Sequence, residues 1–325
     1  MSTTLLSVED LHVWFDLDGG GELHAVQGID LELTEGQRMG LVGESGCGKT
    51  TAILALMGLL PPTASVAGRV VLGGEDILAG GEDSIRPHRW RDIAMVFQGA
   101  MNAFNPVRRI VDQIVEPMEL HGVAEGAAAR AQAGALLELV GISARLGDRF
   151  PHEFSGGMRQ RAAIAMALAC NPKILLADEP TTALDVMIQA QVLELLVRLT
   201  EELGLALILV THDLPVVAKV CDLAAVMYAG TIVEAGPTDG LYHDPRHPYT
   251  RLLFAATPDL SGVGDVVSIP GTPPRLDHDI VGCAFAPRCD VPFGPCATVT
   301  PESIPVGEGH VAACHHNDAS SRTAS

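Results

Sequence analysis

Alternating and continuous runs of apolar residues mark the strands of this chain. Residues 23–33 alternate apolar and polar side chains, a pattern that predicts a strand with one buried face. Residues 38–42 form a short apolar strand that ends at a glycine, and residues 173–177 and 205–210 are apolar almost throughout. Continuous apolar strands are typical of a mainly parallel sheet that is covered on both faces.

The sequence segments between these strands show the periodicity of helices. Residues 50–60 predict a helix that Pro61 stops, and residues 112–147 predict a helical stretch broken at Gly122 and Gly141. Another helix is expected between the two apolar strands near residues 175 and 208. Its apolar side chains share one face: Ile188, Val192, Leu195, Leu196, Leu199 and Leu203. Strands that alternate with helices predict an α/β fold with a layered core.

The amino-acid composition of the chain changes near residues 241–247. Beyond this point proline, glycine, histidine and cysteine dominate, which predicts a boundary between residues 1–245 and residues 246–325. A chain of 325 residues has room for one large domain and a small appendage. Its apolar runs are about half as long as the ~18 residues of a membrane helix, and its first residues do not resemble a signal peptide. We therefore expect a cytosolic protein.

The charge balance argues against a partner made of nucleic acid. The chain has 21 basic residues against 40 acidic ones, which gives a formal net charge of −19. Proteins that bind nucleic acid neutralise its phosphates with clustered lysine and arginine. A local basic pocket remains compatible with this composition.

A glycine-rich loop between a predicted strand and a predicted helix is the strongest motif, and it fits G-x-x-x-x-G-K-[ST]. In such loops the backbone wraps phosphate groups closely, and amides at the helix N-terminus point at the anion. Lys49 is expected to reach the β- and γ-phosphates, and Thr50 to bind Mg²⁺. The predicted ATP-binding residues here are Gly43, Glu44, Ser45, Gly46, Cys47, Gly48, Lys49, Thr50 and Thr51.

One member of the loop is a cysteine. Cys47 would lie beside the amides that bind phosphate, and thiols in such electropositive surroundings have a lowered pKa. The sequence therefore predicts that Cys47 reacts with alkylating agents and that ATP protects it.

Two carboxylates follow the apolar strand that ends at residue 177. Asp178 is expected to hold Mg²⁺ through water, and Glu179 to act as the general base that polarises the attacking water. Alone, a strand that ends in two acids is more often a polar strand terminus. Together with the phosphate loop, the pair predicts a nucleotide hydrolase.

The segment Phe154–Arg161 resembles the signature sequence of ABC ATPases. Ser155, Gly156 and Gly157 precede a predicted helix at residues 158–170, so free amides and the helix dipole form a second anion site. The resemblance implies that two cassettes face each other and that each signature closes on the ATP of the other. It therefore implies a partner subunit of the same kind.

The resemblance to ABC ATPases covers residues 5–241 and assigns further roles. Gln98 resembles the glutamine that touches Mg²⁺ and the attacking water, Asp185 the aspartate of the D-loop, and His212 the histidine near the γ-phosphate. Phe15, or with less support Trp14, resembles the aromatic residue that stacks on adenine. Without the family, the aromatic ring would be assigned to the core and the histidine to the surface.

The family also implies the fold. ABC ATPases have a RecA-like P-loop NTPase core, an antiparallel β subdomain and an inserted helical subdomain. In this chain the helical subdomain is expected at about residues 99–165, and the cassette as a whole within residues 1–245.

The last 80 residues resemble the C-terminal extension of ATPases from peptide and nickel importers. The matching segments are residues 247–253, 269–274 and 282–289, and Asn105 with Pro106 points to the first ATPase subunit of that group. The resemblance implies a heterodimer with a second ABC ATPase, two transmembrane permeases and an extracytoplasmic substrate-binding protein. It places the chain at the cytoplasmic face of the membrane, powering uptake of peptides, nickel or oligosaccharides.

Four cysteines crowd into the extension, at Cys283, Cys289, Cys296 and Cys314. Four thiols suit a [4Fe–4S] cluster or tetrahedral zinc, although the chain has neither a C-x-x-C pair nor ferredoxin spacing here. Some members of the importer family carry a [4Fe–4S] cluster on this segment, so the cluster is favoured. Zinc and free thiols in a packed tail stay open.

Two other ABC classes are weighed as alternatives. Exporter ATPases are commonly fused to their membrane domain and lack this extension. Non-transport ABC ATPases that act on DNA or ribosomes usually carry long coiled coils or two cassettes, which this sequence does not. The prediction is therefore an importer ATPase whose own site, with Glu179 and His212 both present, hydrolyses ATP.

Overall fold

The structure is a computed structural model that describes residues 3–99, 103–256 and 268–318. Its strands are β1 (Thr4–Asp16), β2 (Glu22–Thr34), β3 (Arg38–Val42), β4 (Ala64–Leu72), β5 (Glu75–Asp76), β6 (Ile93–Val96), β7 (Ile174–Asp178), β8 (Ala206–Thr211), β9 (Leu223–Tyr228), β10 (Thr231–Pro237), β11 (Ile304–Gly307) and β12 (His310–Ala312). Its helices are α1 (Lys49–Leu56), α2 (Glu82–Ile85), α3 (Ile110–Leu120), α4 (Gly126–Leu139), α5 (Gly156–Ala167), α6 (Val186–Leu203), α7 (Leu214–Val220), α8 (Thr238–His243) and α9 (Pro248–Ala255). Strands and helices alternate, which confirms the α/β fold class.

Residue contacts divide the chain into two compact units. The helical unit consists of residues 1–5, 34–37 and 80–209. The phosphate-loop unit consists of residues 6–33, 38–79 and 210–325. The expected division into residues 1–245 and 246–325 stays a prediction, and parts of both the predicted helical subdomain and the predicted extension lie outside the described residues.

Buried strands form the centre of the helical unit. β6 pairs in parallel with β7, with Ile93 opposite Ile174, and β7 lies beside β8. Every residue of β6 and β7 is buried, which explains why their sequences are apolar without alternation. The helices α3, α4 and α5 pack against one another, and α5 also contacts α6. The predicted breaks at Gly122 and Gly141 are confirmed, because α3 and α4 end just before them.

The buried face of α6 is shorter than the pattern predicts. Val192, Leu195, Leu196 and Leu199 are buried, but Leu203 is 48% exposed. Leu203 is the last residue of the helix. The prediction was wrong for this residue and right for the middle of the helix.

Two sheets build the phosphate-loop unit. One is antiparallel, with strand order β2-β1-β4-β5, and corresponds to the expected antiparallel β subdomain. The other contains the strands β11-β12-β10-β9-β3 in that order, and β3 runs parallel to β9, with Met39 opposite Leu223. Ala229 and Gly230 join β9 to β10 with φ values of 48° and 85°, as in a tight two-residue hairpin.

The helix after the phosphate loop ends earlier than the sequence predicts. α1 stops at Leu56 rather than at residue 60. The N–H of Leu59 donates to Leu54 O and that of Gly58 to Ala55 O, which is a Schellman motif that satisfies the last carbonyls of the helix. The helix therefore ends in its own hydrogen bonds, before Pro61 is reached.

A buried glutamate ties the end of the chain into the second sheet. Glu234 on β10 is fully buried, and its carboxylate accepts hydrogen bonds from the N–H groups of Arg246 and His247 at 2.6 and 2.9 Å. The Nε2 atom of His310 on β12 lies 2.8 Å from the same carboxylate. Buried carboxylates need such partners, so β10, the turn before α9 and β12 are fixed together.

Candidate nucleotide-binding site

The phosphate loop leaves β3 and turns into α1 through positions that only glycine can occupy. Gly43 and Gly48 have φ values of 152° and 104°. A Cβ atom at Gly43 would lie 2.1 Å from Met227 O, and one at Gly48 would lie 2.5 Å from Ala25 O. The neighbouring strands therefore press directly on the loop backbone, which supports the predicted cradle.

Lys49 is the first residue of α1 and is only 5% exposed. Its ammonium donates to Gly43 O at 2.8 Å and to Glu44 O at 2.9 Å. A buried cation needs such acceptors, and these two belong to the loop itself. The loop thus arranges its own lysine, while Ser45 and Gly46 at its tip are exposed.

Cys47 does not have the environment that the sequence predicts. The residue is 5% exposed, and burial raises the pKa of its thiol, although the Lys49 ammonium acts in the opposite direction. Its carbonyl accepts the N–H of Gly230 at 3.0 Å, which holds this part of the loop against the β9–β10 turn. The expectation of a lowered pKa was wrong, because loss of water outweighs the positive charge nearby.

The predicted general base and glutamine meet in the helical unit. Asp178 ends β7 and is 1% exposed, and Glu179 follows it with a left-handed φ of 42°, which is uncommon for a glutamate. Gln98 Nε2 donates to Glu179 Oε2 at 3.1 Å. Thr182 Oγ1 donates to the same oxygen at 2.9 Å. Thr182 was not predicted from the sequence, although a hydroxyl three residues after a carboxylate is a recognisable signal.

The signature and the D-loop both begin helices in the helical unit. Ser155 precedes α5, and its hydroxyl oxygen accepts the N–H of Met158 at 3.3 Å. Asp185 precedes α6 in the same way and accepts the N–H of Ile188 at 3.0 Å. Both side chains therefore act as N-caps, and both are exposed.

The remaining predicted residues lie in the phosphate-loop unit. His212 follows β8 and is exposed, and Phe15 on β1 is partly exposed. Trp14 stacks on His24 at 4.6 Å between ring centroids. Successive residues of a strand face opposite sides of a sheet, so Phe15 lies on the other face of β1 from this stack, and its role as the adenine contact stays a prediction.

Two residues of the extension contact the loop, and neither was predicted from the sequence as part of the site. The hydroxyl oxygen of Tyr249 accepts the N–H of Glu44 at 2.9 Å. Arg288 forms a two-pronged ion pair with the Glu44 carboxylate, at 2.6 and 2.9 Å. More than 200 residues separate these partners, so no local sequence pattern predicts the contact. The only signal in the sequence is that both residues lie in segments that resemble the extension of importer ATPases, residues 247–253 and 282–289.

The four cysteines of the extension share one small cavity of about 10 Å³, together with His315 and His316. Burial raises the pKa of Cys283 and Cys289, and that of Cys314 to about 11. Within residues 3–99, 103–256 and 268–318, no group of three or more His, Cys, Asp or Glu side chains is arranged to hold a metal ion. The thiols are thus brought together as expected, but the arrangement does not support the [4Fe–4S] cluster.

Comparisons with known proteins agree with this geometry. The ABC transporter family model matches residues 26–182, and the model of the oligopeptide/dipeptide transporter C-terminal region matches residues 233–296. The oligopeptide transport ATP-binding protein OppD of Bacillus subtilis is 47% identical over 292 residues, 88% of this chain and 81% of OppD. The chain belongs to the ABC transporter family, in its oligopeptide/dipeptide group of ATP-binding proteins.

Other members of the ABC transporter family resemble the chain over most of its length. The dipeptide transport ATP-binding protein DppD of Bacillus subtilis is 44% identical over 97% of this chain and 95% of DppD. A dimeric ATP-binding cassette solved in a post-hydrolysis state with ADP and phosphate is 27% identical, with a TM-score of 0.63 over 72% of this chain and 98% of that one. The fold is therefore that of a P-loop ABC cassette, and the chain is an ATPase coupled to transport.

Proposed function

We propose that this ABC ATPase powers the uptake of peptides across the cytoplasmic membrane. The observation that carries the proposal is the joint presence of a complete phosphate-loop cradle and the oligopeptide/dipeptide C-terminal region in one chain. Relatives named for oligopeptide and dipeptide transport support the same substrate class. Nickel and oligosaccharides are the other solutes that the sequence leaves open.

Different side chains bind ATP and catalyse its hydrolysis. Lys49 and the loop amides bind the phosphates of ATP, and Phe15 stacks on its adenine. Glu179, oriented by Gln98 and Thr182, accepts the proton of the attacking water. His212 is assigned to the γ-phosphate.

Mg²⁺ is assigned to Thr50, Gln98 and Asp178. Their hydroxyl, amide and carboxylate oxygens are the hard ligands that Mg²⁺ prefers. When bound, the ion neutralises charge that develops on the phosphates. The donor chemistry of these residues therefore fits the ion.

Exposed apolar side chains support the proposed partners. Val186 and Met187 follow the D-loop aspartate and are 80% and 74% exposed, where a second cassette is expected to close on Ser155, Gly156, Gly157 and Asp185. Phe97, next to Gln98, is 43% exposed, and we assign the contact with the permeases to this region. The complex further includes a second, different ABC ATPase and an extracytoplasmic binding protein, and the chain works at the cytoplasmic face of the membrane. None of the helices among the described residues is long and apolar enough to cross a bilayer.

Kinetics of the assembled transporter with labelled peptides test the proposal. Glu179→Gln should lower ATP turnover by about 10²–10⁴-fold and stop peptide uptake, while Mg-ATP binding persists. Lys49→Ala should abolish nucleotide binding. Glu194→Gln, on the exposed side of α6, is the matched control and should leave ATP turnover, peptide uptake and nucleotide binding unchanged. Near-normal turnover in Glu179→Gln contradicts the assigned base, and uptake of nickel or an oligosaccharide instead of peptide contradicts the substrate.

The [4Fe–4S] cluster stays a prediction, apart from the ATPase mechanism. Four cysteines supply the number of thiolates that such a cluster needs, but their cavity of about 10 Å³ has room for one water at most. A cluster therefore needs the thiols to lose their protons and move apart. Iron analysis and visible absorption of protein purified without oxygen test this: stoichiometric iron that Cys314→Ser removes supports the cluster, and colourless, iron-free protein contradicts it.

A further inference from the structure

Glu44 of the phosphate loop is held at three places at once. Its N–H donates to the hydroxyl oxygen of Tyr249, and its carboxylate pairs with Arg288. Its carbonyl oxygen accepts the ammonium of Lys49 at 2.9 Å. One residue therefore connects the extension to the lysine that is assigned to the phosphates.

Arg288 sits in a rigid, well-satisfied position. The residue is 5% exposed, its Nε donates to Pro270 O at 2.8 Å, and its Nη1 also donates to the hydroxyl oxygen of Tyr228 at 3.3 Å. Its guanidinium lies 5.7 and 5.9 Å from the ring centres of Tyr228 and Phe285. Contacts on every side keep the guanidinium in one orientation, so it can fix the carboxylate that it binds.

Tyr249 is equally constrained. It is completely buried, and its ring lies 4.6 Å from that of Tyr228 and 5.3 Å from that of Phe285. It belongs to α9, whose first turn is capped by the side chain of His247. Its hydroxyl therefore presents a fixed acceptor to the N–H of Glu44.

The Arg288–Glu44 ion pair also neutralises a negative charge in the phosphate loop. Glu44 brings a carboxylate into a loop whose task is to bind anions, in a chain with a net charge of −19. Without Arg288 that carboxylate would repel the phosphates of ATP, and repulsion between charges is strongest where water is excluded. The ion pair neutralises the carboxylate and should reduce this repulsion.

We propose that Arg288 and Tyr249 are positioning residues of the ATP site. They neutralise and fix Glu44, Glu44 in turn places the Lys49 ammonium, and the affinity of the loop for Mg-ATP therefore depends on the extension. A loop that is already arranged loses less conformational freedom when its ligand binds, and so binds more tightly. The proposal rests on ATP binding by this loop.

Calorimetric titration of the full-length chain with Mg-ATP tests the proposal through three variants. Arg288→Gln should weaken binding about 5- to 50-fold, because it leaves the Glu44 carboxylate unpaired and the loop unanchored. Glu44→Gln should weaken it less. The double variant should bind more tightly than Arg288→Gln alone, because the unpaired charge is gone. A purely structural role of Arg288 predicts instead that the two losses add.

A matched control separates this pair from any other ion pair of the extension. Arg251 binds Asp290 at 2.6 Å, with both side chains about half exposed. Arg251→Gln should leave Mg-ATP affinity unchanged.

Arg288→Lys keeps the charge but loses the two-pronged geometry, and should recover part of the affinity lost in Arg288→Gln. In the assembled transporter, Arg288→Gln should raise KM for ATP while kcat changes by less than about twofold.

Besides additive losses in the double variant, three outcomes would overturn the proposal. The first is a folded Arg288→Gln chain that binds Mg-ATP as tightly as the wild type. If Arg288→Gln does not fold, Glu44→Gln removes the ion pair and Tyr249→Phe removes the acceptor of the Glu44 N–H, and unchanged affinity in both variants is the second. The third is an equal loss in Arg251→Gln. Lys49→Ala distinguishes a failure of the underlying function, because nucleotide binding that survives this change means that the loop is not the ATP site.

Discussion

At the scale of single residues, water access decides what the charged and polar groups of the phosphate loop do. Lys49 and Cys47 are equally buried, but only the lysine has two carbonyl oxygens to replace its lost water. The thiol sulfur accepts a long contact of 3.7 Å from the Lys49 ammonium, but burial outweighs it and raises the pKa of the thiol, which therefore keeps its proton. Proximity to a positive charge is thus a poor guide to reactivity when the group is also desolvated.

We therefore expect slow alkylation of Cys47. Only the thiolate reacts, so at neutral pH iodoacetamide should label Cys47 in the folded chain at least about tenfold more slowly than in urea-unfolded chain. Mass spectrometry of the labelled peptide over time gives both rates. Equal rates in the folded and unfolded chains would contradict a raised pKa, and faster labelling of the folded chain would support the low pKa that the sequence suggests.

At the scale of elements, the starts of two helices carry the signature and the D-loop. Ser155 caps α5 and Asp185 caps α6, and the two helix starts touch, because a Cβ atom at Gly157 would lie 2.7 Å from Ile188 Cγ2. Glycine in the signature is therefore required by packing inside one chain, in addition to any role in binding phosphate. The pattern of small residues before an apolar helix predicts the cap but not this contact.

Gly157→Ala should lower the free energy of unfolding by about 1–3 kcal/mol, because the added methyl group overpacks the start of α5 against Ile188. Ile188→Ala removes the methyl carbon in the way. The double variant should accordingly lose less than the sum of the two single changes. Urea unfolding of all four proteins measures the coupling, and strictly additive losses would show that the methyl group is accommodated elsewhere.

At the scale of the whole molecule, buried polar groups make the fold sensitive to acid. His247 is 2% exposed, and burial lowers its pKa to about 3. Its Nδ1 accepts the N–H of Tyr249 at 3.0 Å, which requires a neutral ring. The unfolded chain takes up a proton on this histidine below pH ~6.5, whereas the folded chain does not.

The stabilising contribution of His247 is therefore complete above pH ~6.5 and is lost as the pH falls towards about 3. At pH 5 the loss relative to pH 7 should be ~2 kcal/mol. His247→Asn keeps an acceptor at the start of α9 but does not titrate, so its free energy of unfolding should depend less on pH. Urea unfolding at pH 7 and pH 5 measures both differences, and equal pH dependence in the two proteins would contradict the assignment.

The sequence by itself determined the chemistry of this protein. The phosphate loop, the paired carboxylates at Asp178 and Glu179, the signature and the strand–helix order are local patterns, because a short segment fixes which backbone amides and side chains come together. Such patterns also revealed the two family resemblances. The same local patterns predicted a longer α1 and a longer buried face on α6 than the structure has. The hydrogen bonds that end α1 and the exposure of the last residue of α6 depend on the packed fold.

Only the tertiary structure decided which distant groups meet. It brought Arg288 and Tyr249 to Glu44, gathered four cysteines around one cavity, and buried Cys47 deeply enough to reverse its expected pKa shift. Contacts across more than 200 residues and the loss of water depend on how sheets and helices pack, which periodicity along the chain does not encode. The control of the phosphate loop by the extension is a property of that packing.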